Sequence, residues 1–209
     1  MHLVWDWNGT LLDDFDLTIA ATNAAFHASG GPNVTGDEHR RRFRRPIAEY
    51  YAEVLGRPVD EAEFAAMDTR FHSEYHRMLA TCRLAAGAAE ALAAWSGSQS
   101  LLSMWFHEQL VPFVAGFGLA DRFVRIDGLR EATGGGNKAE HLVRHLAALR
   151  LDGADCVLIG DTLDDADAAA AVGAGCVLVS YGYTDGDRLA ATGLPVADTL
   201  ADAVKLASA

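Results

Sequence analysis

The chain has 209 residues, half of them hydrophobic, and its 29 acidic against 17 basic residues give a formal net charge of −12. This apolar content excludes a disordered chain, and the length suits one domain or one domain with a smaller insertion. The acidity argues against a nucleic-acid partner or an anionic membrane surface, because their phosphate groups would repel most of the protein surface.

The sequence also indicates the cellular compartment of the protein. No apolar run approaches the roughly 20 residues that a membrane-spanning helix needs. The first residues contain no basic segment ahead of an apolar one, so we expect no signal peptide. Cys82, Cys156 and Cys176 are widely spaced and odd in number, which predicts reduced thiols and a cytoplasmic protein.

Short apolar segments alternate with helical patterns along most of the chain, and this alternation predicts an α/β fold with a doubly wound parallel sheet. The segments are bounded by glycine or an acidic residue, as expected for buried parallel strands. The predicted strands are residues 2–5, 100–103, 123–126, 156–159 and 176–179. Helices are predicted near residues 88–95 and over 164–172, the second ending at Gly173.

The segment between the first two predicted strands has helical periodicity and few strand signals. Turns at residues 30–32 and 56–58 divide it into helices. We therefore predict two domains, an α/β core formed by residues 1–13 and 87–209 and an inserted all-helical cap formed by residues 14–86. The aromatic residues of the insertion are expected to form its core rather than a substrate pocket.

Polar side chains follow the ends of several predicted strands, which in a parallel sheet meet at the edge where ligands bind. These residues are Asp6 and Asn8 after the first strand, Ser103 at the end of the second, Lys138 after the glycine-rich loop 134–136, and Asp161 and Asp165 after the fourth. Singly, they could be turn or helix-capping residues. Together, the three aspartates would repel one another unless a cation lay between them, and carboxylate oxygens suit Mg²⁺. With Ser103, Lys138 and the N–H groups after Gly9, this edge could bind a phosphoryl group.

The same residues carry a resemblance to a known family. Residues 3–13, which include Asp6-Trp7-Asn8-Gly9-Thr10, resemble the first motif of the haloacid dehalogenase-like superfamily, whose phosphatases carry Asp-x-Asp-Gly-Thr. Leu101-Leu102-Ser103, Lys138 and residues 159–165 resemble the second, third and fourth motifs, in the family's order. The helical insertion, residues 171–174 and Tyr181-Gly182-Tyr183 are similar to the phosphoglycolate-phosphatase-like branch.

The resemblance implies a Rossmann-like core with a helical cap, and a Mg²⁺-dependent phosphatase of small phosphorylated metabolites. It implies that Asp6 attacks phosphorus as the nucleophile and that Lys138 neutralises charge on the phosphoryl group. The implied metal ligands are the carboxylate of Asp6, the backbone carbonyl of Asn8, and the carboxylates of Asp161 and Asp165. The predicted substrate contacts are Gly9, Thr10, Ser103, Met104, Arg44 and Arg45. The sequence leaves open whether the protein is a monomer or a homodimer.

The second aspartate of the first motif is Asn8 in this chain. In the family's phosphatases that aspartate protonates the leaving oxygen and then activates water, and an amide can do neither. General acid–base catalysis is worth about 10²–10⁴-fold. We therefore expect a slow phosphatase, or one that favours acyl or aryl phosphates, unless Asp13, Asp14 or His107 substitutes. The alternative is a weak or inactive relative that binds a phosphorylated ligand or a protein partner.

Residues 39–45 contain five arginines. They could form a solvated face of a two-turn helix. Alternatively, one or two of Arg41, Arg44 and Arg45 reach over the site to a second anionic group of the substrate, which arginine can bind through two parallel hydrogen bonds.

Overall fold

The computed structural model describes residues 1–130 and 136–208, so Gly134 and Gly135 of the predicted glycine-rich loop lie outside the described residues. The strands are β1 His2–Trp5, β2 Leu12–Asp13, β3 Arg83–Leu84, β4 Gln99–Phe106, β5 Ile126–Leu129, β6 Cys156–Gly160, β7 Gly175–Val179 and β8 Val196–Ala197. The helices are α1 Phe15–Ala28, α2 Gly36–Arg42, α3 Ile47–Leu55, α4 Glu61–Met78, α5 Ala88–Ala94, α6 His107–Gly116, α7 Ala139–Leu149, α8 Leu163–Val172, α9 Gly186–Ala190 and α10 Leu200–Ala207. Within these ranges no helix is long and apolar enough to cross a membrane.

Six of the described strands form one parallel sheet in the order β5-β4-β1-β6-β7-β8. β1 lies between β4 and β6, and all four of its residues are buried. Leu3 and Trp5 pack on one face with residues of α5, α6 and α10, whereas Val4 packs on the other face with residues of α7 and α8. A parallel sheet buried between two helical layers confirms the predicted doubly wound α/β class.

Most predicted strands occur where the apolar segments lie, as β1, β4, β6 and β7. The third prediction is wrong in position, because β5 begins only at Ile126. Phe123 follows a short 3₁₀ turn and its ring is buried in the core, so its apolar character reflects packing rather than strand pairing. β8 was not expected, since two residues are too few to show a strand pattern.

The four helices α1 to α4 are inserted between β2 and β3. These two short strands pair antiparallel, with Leu12 opposite Leu84, so the chain leaves the core and returns to it at adjacent points. The inserted helices have their own buried cluster, which includes Phe26, Tyr50, Tyr51 and Met67. The predicted helical insertion is therefore present, and its division from the core at residues 14–86 stays a prediction.

The arginine-rich segment is not one helix. α2 ends at Arg42 and α3 begins after Pro46, so Arg44 and Arg45 lie in the connection between the two helices. A residue that precedes proline is disfavoured in the helical conformation, which explains the break before Pro46. The expectation of two helical turns over residues 39–45 is wrong for this reason, and the connection directs the two arginines separately.

Candidate active site

The carboxyl ends of neighbouring strands bring the predicted site residues together. Asp6 follows β1, Ser103 lies in β4 and Asp161 follows β6, while Lys138 directly precedes α7 and Asp165 lies in the first turn of α8. One carboxylate oxygen from each of Asp6, Asp161 and Asp165 lies within 4.8 Å of the others, and all three side chains are buried. This cluster could hold a metal ion.

The negative charge of the three carboxylates exceeds the positive charge of the protein groups around them. Burial raises the pKa of Asp6 to about 7, with a further contribution from Asp165, even though Lys138 lowers it. Burial and the charges of Asp6 and Asp165 raise the pKa of Asp161 well above its usual range. Buried carboxylate oxygens with uncompensated charge are a donor set that fits a hard divalent cation such as Mg²⁺.

Lys138 is the protein cation in contact with this cluster. Its Nζ lies 2.8 Å from Oδ1 of Asp6 and also contacts Oδ1 of Asp165. Burial lowers the pKa of Lys138, but the two carboxylates raise it more, so the ammonium group stays charged. Burial raises the pKa of Asp165, but Lys138 and hydrogen bonds from Thr162 lower it more, so this pKa lies below its usual value. The N–H of Lys138 donates to both carboxylate oxygens of Asp164 at 3.1 Å, which fixes the start of α7.

Asp161 is held in place by neighbouring backbone and side-chain groups. The hydroxyl of Thr10 donates to its Oδ1 at 2.8 Å, and the N–H of Tyr183 donates to its Oδ2 at 2.7 Å. Two glycines allow this close approach: Gly9 has a φ of 72°, a conformation that favours glycine, and a side chain at Gly182 would overlap the Asp161 carboxylate.

We expect Gly182→Ala to weaken divalent-cation binding at least about tenfold, the usual effect of disturbing a group that positions a metal ligand. The new methyl group would displace the Asp161 carboxylate. Calorimetric titration with Mg²⁺ measures the dissociation constant. Gly186→Ala is the matched control, because a Cβ there meets nothing within 4 Å. Equal affinity in the two variants would contradict the assignment of Asp161 as a ligand.

The N–H groups of the loop after β1 form hydrogen bonds within the protein. The N–H of Gly9 donates to Oδ1 of Asp14 at 2.8 Å, and the N–H of Thr10 donates to the carbonyl of Trp7 at 3.3 Å. The expectation that N–H groups after Gly9 bind phosphate is therefore wrong. The prediction of Thr10 as a substrate contact is wrong for its side chain, which is fully buried with its hydroxyl on Asp161.

Asn8 belongs to a hydrogen-bond network that the sequence did not reveal. Its Nδ2 donates to Oδ2 of Asp14 at 2.9 Å and to the hydroxyl of Tyr75 at 2.8 Å, and its Oδ1 accepts from Ser103 at 3.1 Å. Tyr75 and Tyr183 also donate to Oδ2 of Asp14, at 2.6 and 2.7 Å. This network explains the amide at position 8, because a carboxylate there would lie beside the buried Asp14 carboxylate and repel it.

The network also changes the role of Ser103. Its hydroxyl was expected to bind a phosphoryl oxygen, but it donates to Asn8 and accepts from the N–H of Trp105 at 3.1 Å. In this arrangement Ser103 orients Asn8, and Asn8 is one of the polar residues that border the pocket beside Asp6.

None of the three candidates for a substitute acid is placed to give a proton. Asp14 lies next to Asn8, but its carboxylate accepts from four donors. Burial raises the pKa of Asp14, while these hydrogen bonds lower it. Asp13 is exposed. Both ring nitrogens of His107 have partners: the N–H of Gly128 donates to Nδ1, and Nε2 contacts Arg130.

Of the remaining predicted substrate contacts, Arg45 and Met104 border the small pocket beside Asp6. The Arg45 side chain is only 18% exposed and lies 3.5 Å from an aspartate at the start of α8. Arg44 instead forms an ion pair with a glutamate of α3. The structure therefore brings Arg45 and Met104 to the site, and the prediction of Arg44 as a substrate contact stays a prediction.

Comparison with known proteins agrees with this geometry. A family model described as haloacid dehalogenase-like hydrolase matches residues 1–173. No curated protein sequence matches the chain.

Solved structures share the fold at low sequence identity. A predicted phosphatase from Clostridium acetobutylicum is 15% identical with a TM-score of 0.86, covering 98% of this chain and 96% of its own. A predicted phosphoglycolate phosphatase from Haemophilus somnus is 19% identical with a TM-score of 0.76 and the same coverage. Protein Tyrosine Kinase A from Mycobacterium tuberculosis is 25% identical with a TM-score of 0.74, covering 98% of this chain and 95% of its own.

Proposed function

The chain belongs to the haloacid dehalogenase-like hydrolase family, and we propose that it is a Mg²⁺-dependent phosphatase of small phosphorylated molecules with Asp6 as its nucleophile. The observation that carries the proposal is the buried group of Asp6, Asp161 and Asp165 in contact with Lys138. Phosphoryl transfer needs a positioned nucleophile and positive charge around the phosphoryl oxygens. The three unpaired cysteines support a location in a reducing compartment such as the cytoplasm.

The proposed reaction has two displacement steps. In the first, a carboxylate oxygen of Asp6 bonds to phosphorus, and the bond from phosphorus to the ester oxygen breaks, its electron pair leaving with that oxygen. In the second, a water oxygen bonds to phosphorus, the bond to Asp6 breaks, and inorganic phosphate departs while the proton of the water passes to solvent. Lys138, 2.8 Å from Asp6, would neutralise charge that builds up on the phosphoryl group.

Mg²⁺ would be held by the carboxylates of Asp6, Asp161 and Asp165 and by the backbone carbonyl of Asn8. When bound, it supplies positive charge to the phosphoryl oxygens. Arg45 borders the pocket beside Asp6, so we propose it as a substrate contact. Met104 borders the same pocket and would contact the group that the ester oxygen carries.

The proposed enzyme lacks an acid for the leaving group. Both N–H bonds of the Asn8 amide are directed at Asp14 and Tyr75. Burial and the nearby Asp14 raise the pKa of Tyr75 well above its usual value, so this hydroxyl holds its proton too firmly to be an acid. Substrates whose leaving oxygen needs no proton, namely acyl and aryl phosphates, are therefore favoured over alkyl phosphates.

The test is the release of inorganic phosphate in MgCl₂ and in EDTA from one acyl, one aryl and one alkyl phosphate. Acetyl phosphate, p-nitrophenyl phosphate and 2-phosphoglycolate represent the three classes, the last because of the description of the Haemophilus somnus protein. We expect Mg²⁺-dependent release that is slowest from 2-phosphoglycolate. No Mg²⁺-dependent release from any of the three would overturn the proposal and favour a protein that binds a phosphorylated ligand without hydrolysing it.

Asn8→Asp is expected to raise turnover of 2-phosphoglycolate at least about 10²-fold, the low side of the range for general acid catalysis. The introduced carboxyl would lie beside Asp14, and this like-charge pair would retain a proton near neutral pH. That proton can be given to an alkoxide leaving group. The rate should change less for p-nitrophenyl phosphate, and an unchanged or lower rate for 2-phosphoglycolate would show that a missing acid does not limit the native protein.

A further inference from the structure

A cavity lies between the inserted helices and the core, and Asn8 is one of the residues that line it. Its volume is about 100 Å³, about two-thirds of that of the apolar cavity of about 150 Å³ that is known to hold benzene. The wall includes the aromatic residues Phe43, Tyr50, Tyr51, Phe71, Tyr75 and Trp105, and it also contains the charged residues Arg45 and Asp68. The expectation that the aromatic residues of the insertion only form its core is therefore incomplete, because several of them also border this space.

The cavity adjoins the pocket beside Asp6. The residues shared by the two linings are Asn8, Phe43, Arg45, Met104 and Tyr183. A phosphoryl group at Asp6 would therefore have its ester oxygen near Asn8, and the group carried by that oxygen would extend into the aromatic cavity.

One polar group in the cavity wall has an unused ring nitrogen. His39 is buried and its Nδ1 lies 2.9 Å from the hydroxyl of Tyr50, while Nε2 has no hydrogen-bond partner among the described residues. Burial and the charge of Arg40 lower the pKa of His39 to about 3, so the ring is neutral. Nε2 is closed to solvent, so His39 contributes an uncharged ring to the wall of the cavity.

We propose that this cavity holds the ring of an aryl phosphate monoester. The inference rests on the proposed phosphatase function and names its substrate class. Edge-to-face and offset contacts with the aromatic wall suit a flat ring. An alkyl chain would fill the same volume without such contacts.

The chemistry of the leaving group independently supports an aryl phosphate as the substrate class. When Asp6 bonds to phosphorus and the bond to the aryl oxygen breaks, the electron pair stays on that oxygen and is delocalised into the ring. The phenolate takes its proton from water after it leaves, so the absence of an acid at Asn8 is tolerated. An alkoxide would need that proton during bond breaking.

The first test is binding of two non-hydrolysable ligands, phenylphosphonate and methylphosphonate, which differ in the ring. We expect calorimetric titration of the Mg²⁺-loaded protein to show at least about tenfold tighter binding of phenylphosphonate. Ile47 lines the cavity from the start of α3, so Ile47→Trp should fill the space and bring the two affinities together. Val143→Trp adds the same ring at a position that is 51% exposed on α7 and should preserve the difference.

The second test is the ratio of kcat/KM for p-nitrophenyl phosphate to that for acetyl phosphate, which should fall at least about tenfold in Ile47→Trp. Equal affinity of the native protein for the two phosphonates would overturn this inference and leave the proposed function standing, whatever the variants do. Failure to bind either phosphonate together with no phosphate release would overturn the proposed function itself.

Discussion

Asp6→Asn is expected to abolish Mg²⁺-dependent phosphate release, lowering kcat at least about 10³-fold, while the metal-free protein stays as stable as before or becomes more stable. Burial is the main reason that the pKa of Asp6 is raised to about 7. Because this pKa is higher in the folded than in the unfolded chain, the cost of the charge grows as pH rises from about 4 to 7. A neutral amide removes that cost. Phosphate release and thermal unfolding at pH 7 check the two halves of the prediction.

Asp121→Asn is the matched control, since Asp121 is an exposed carboxylate in the turn after α6. The rate of phosphate release and the melting temperature of this variant should equal those of the native protein. An Asp6→Asn protein that is folded and keeps more than a tenth of the native rate would exclude Asp6 as the nucleophile. Marked destabilisation of Asp6→Asn would instead contradict the electrostatic account of the site.

Lys138→Met is expected to lower the free energy of unfolding of the metal-free protein by about 3–5 kcal/mol, the usual cost of removing one partner from a buried ion pair. Lys138 is 2% exposed and contacts Asp6 and Asp165. Methionine keeps much of the volume but leaves these carboxylates without the ammonium charge. Mg²⁺ should restore part of the loss, because an ion bound to the folded state stabilises it. Denaturant titration with and without MgCl₂ measures both effects.

The sequence contains one other lysine, which makes a control of the same chemistry. Lys205 is 75% exposed on α10 and pairs with Asp202 at 2.8 Å, one helical turn away. Exposed pairs of this kind contribute little, so Lys205→Met should leave the unfolding curve unchanged with or without Mg²⁺. Equal effects of the two substitutions would show that Lys138 does not offset the buried carboxylates.

The α/β class and the position of the catalytic edge could be predicted because they depend on short-range pattern. The segments that form β1, β6 and β7 are apolar runs bounded by glycine or aspartate, and such runs are recognisable without knowing what they pack against. Strand ends of a parallel sheet meet at one edge, so Asp6, Asp161 and Asp165 could be grouped although more than 150 residues separate the first from the others.

The direction of each side chain could not be predicted, because it depends on contacts between segments that are distant in the chain. Asn8 meets Tyr75 across 67 positions and Ser103 across 95. Tyr75 lies on an amphipathic helix, where an aromatic residue is normally a core residue, so its role in orienting Asn8 has no signal in the sequence. Tyr183 belongs to a segment that the family resemblance singled out, but its bond to Asp14 is equally a product of folding.

The sequence by itself thus determined the sheet, the helical insertion and the set of charged residues at the sheet edge, since these follow from local periodicity and from the geometry common to all parallel sheets. Only the tertiary structure decided that Thr10 holds Asp161, that Arg45 rather than Arg44 borders the pocket beside Asp6, and that a cavity lined in part by aromatic residues lies next to Asn8. The physical reason is that a hydrogen bond or a cavity wall is set to within an ångström by the packing of whole elements, whereas residue types along the chain specify only which elements form.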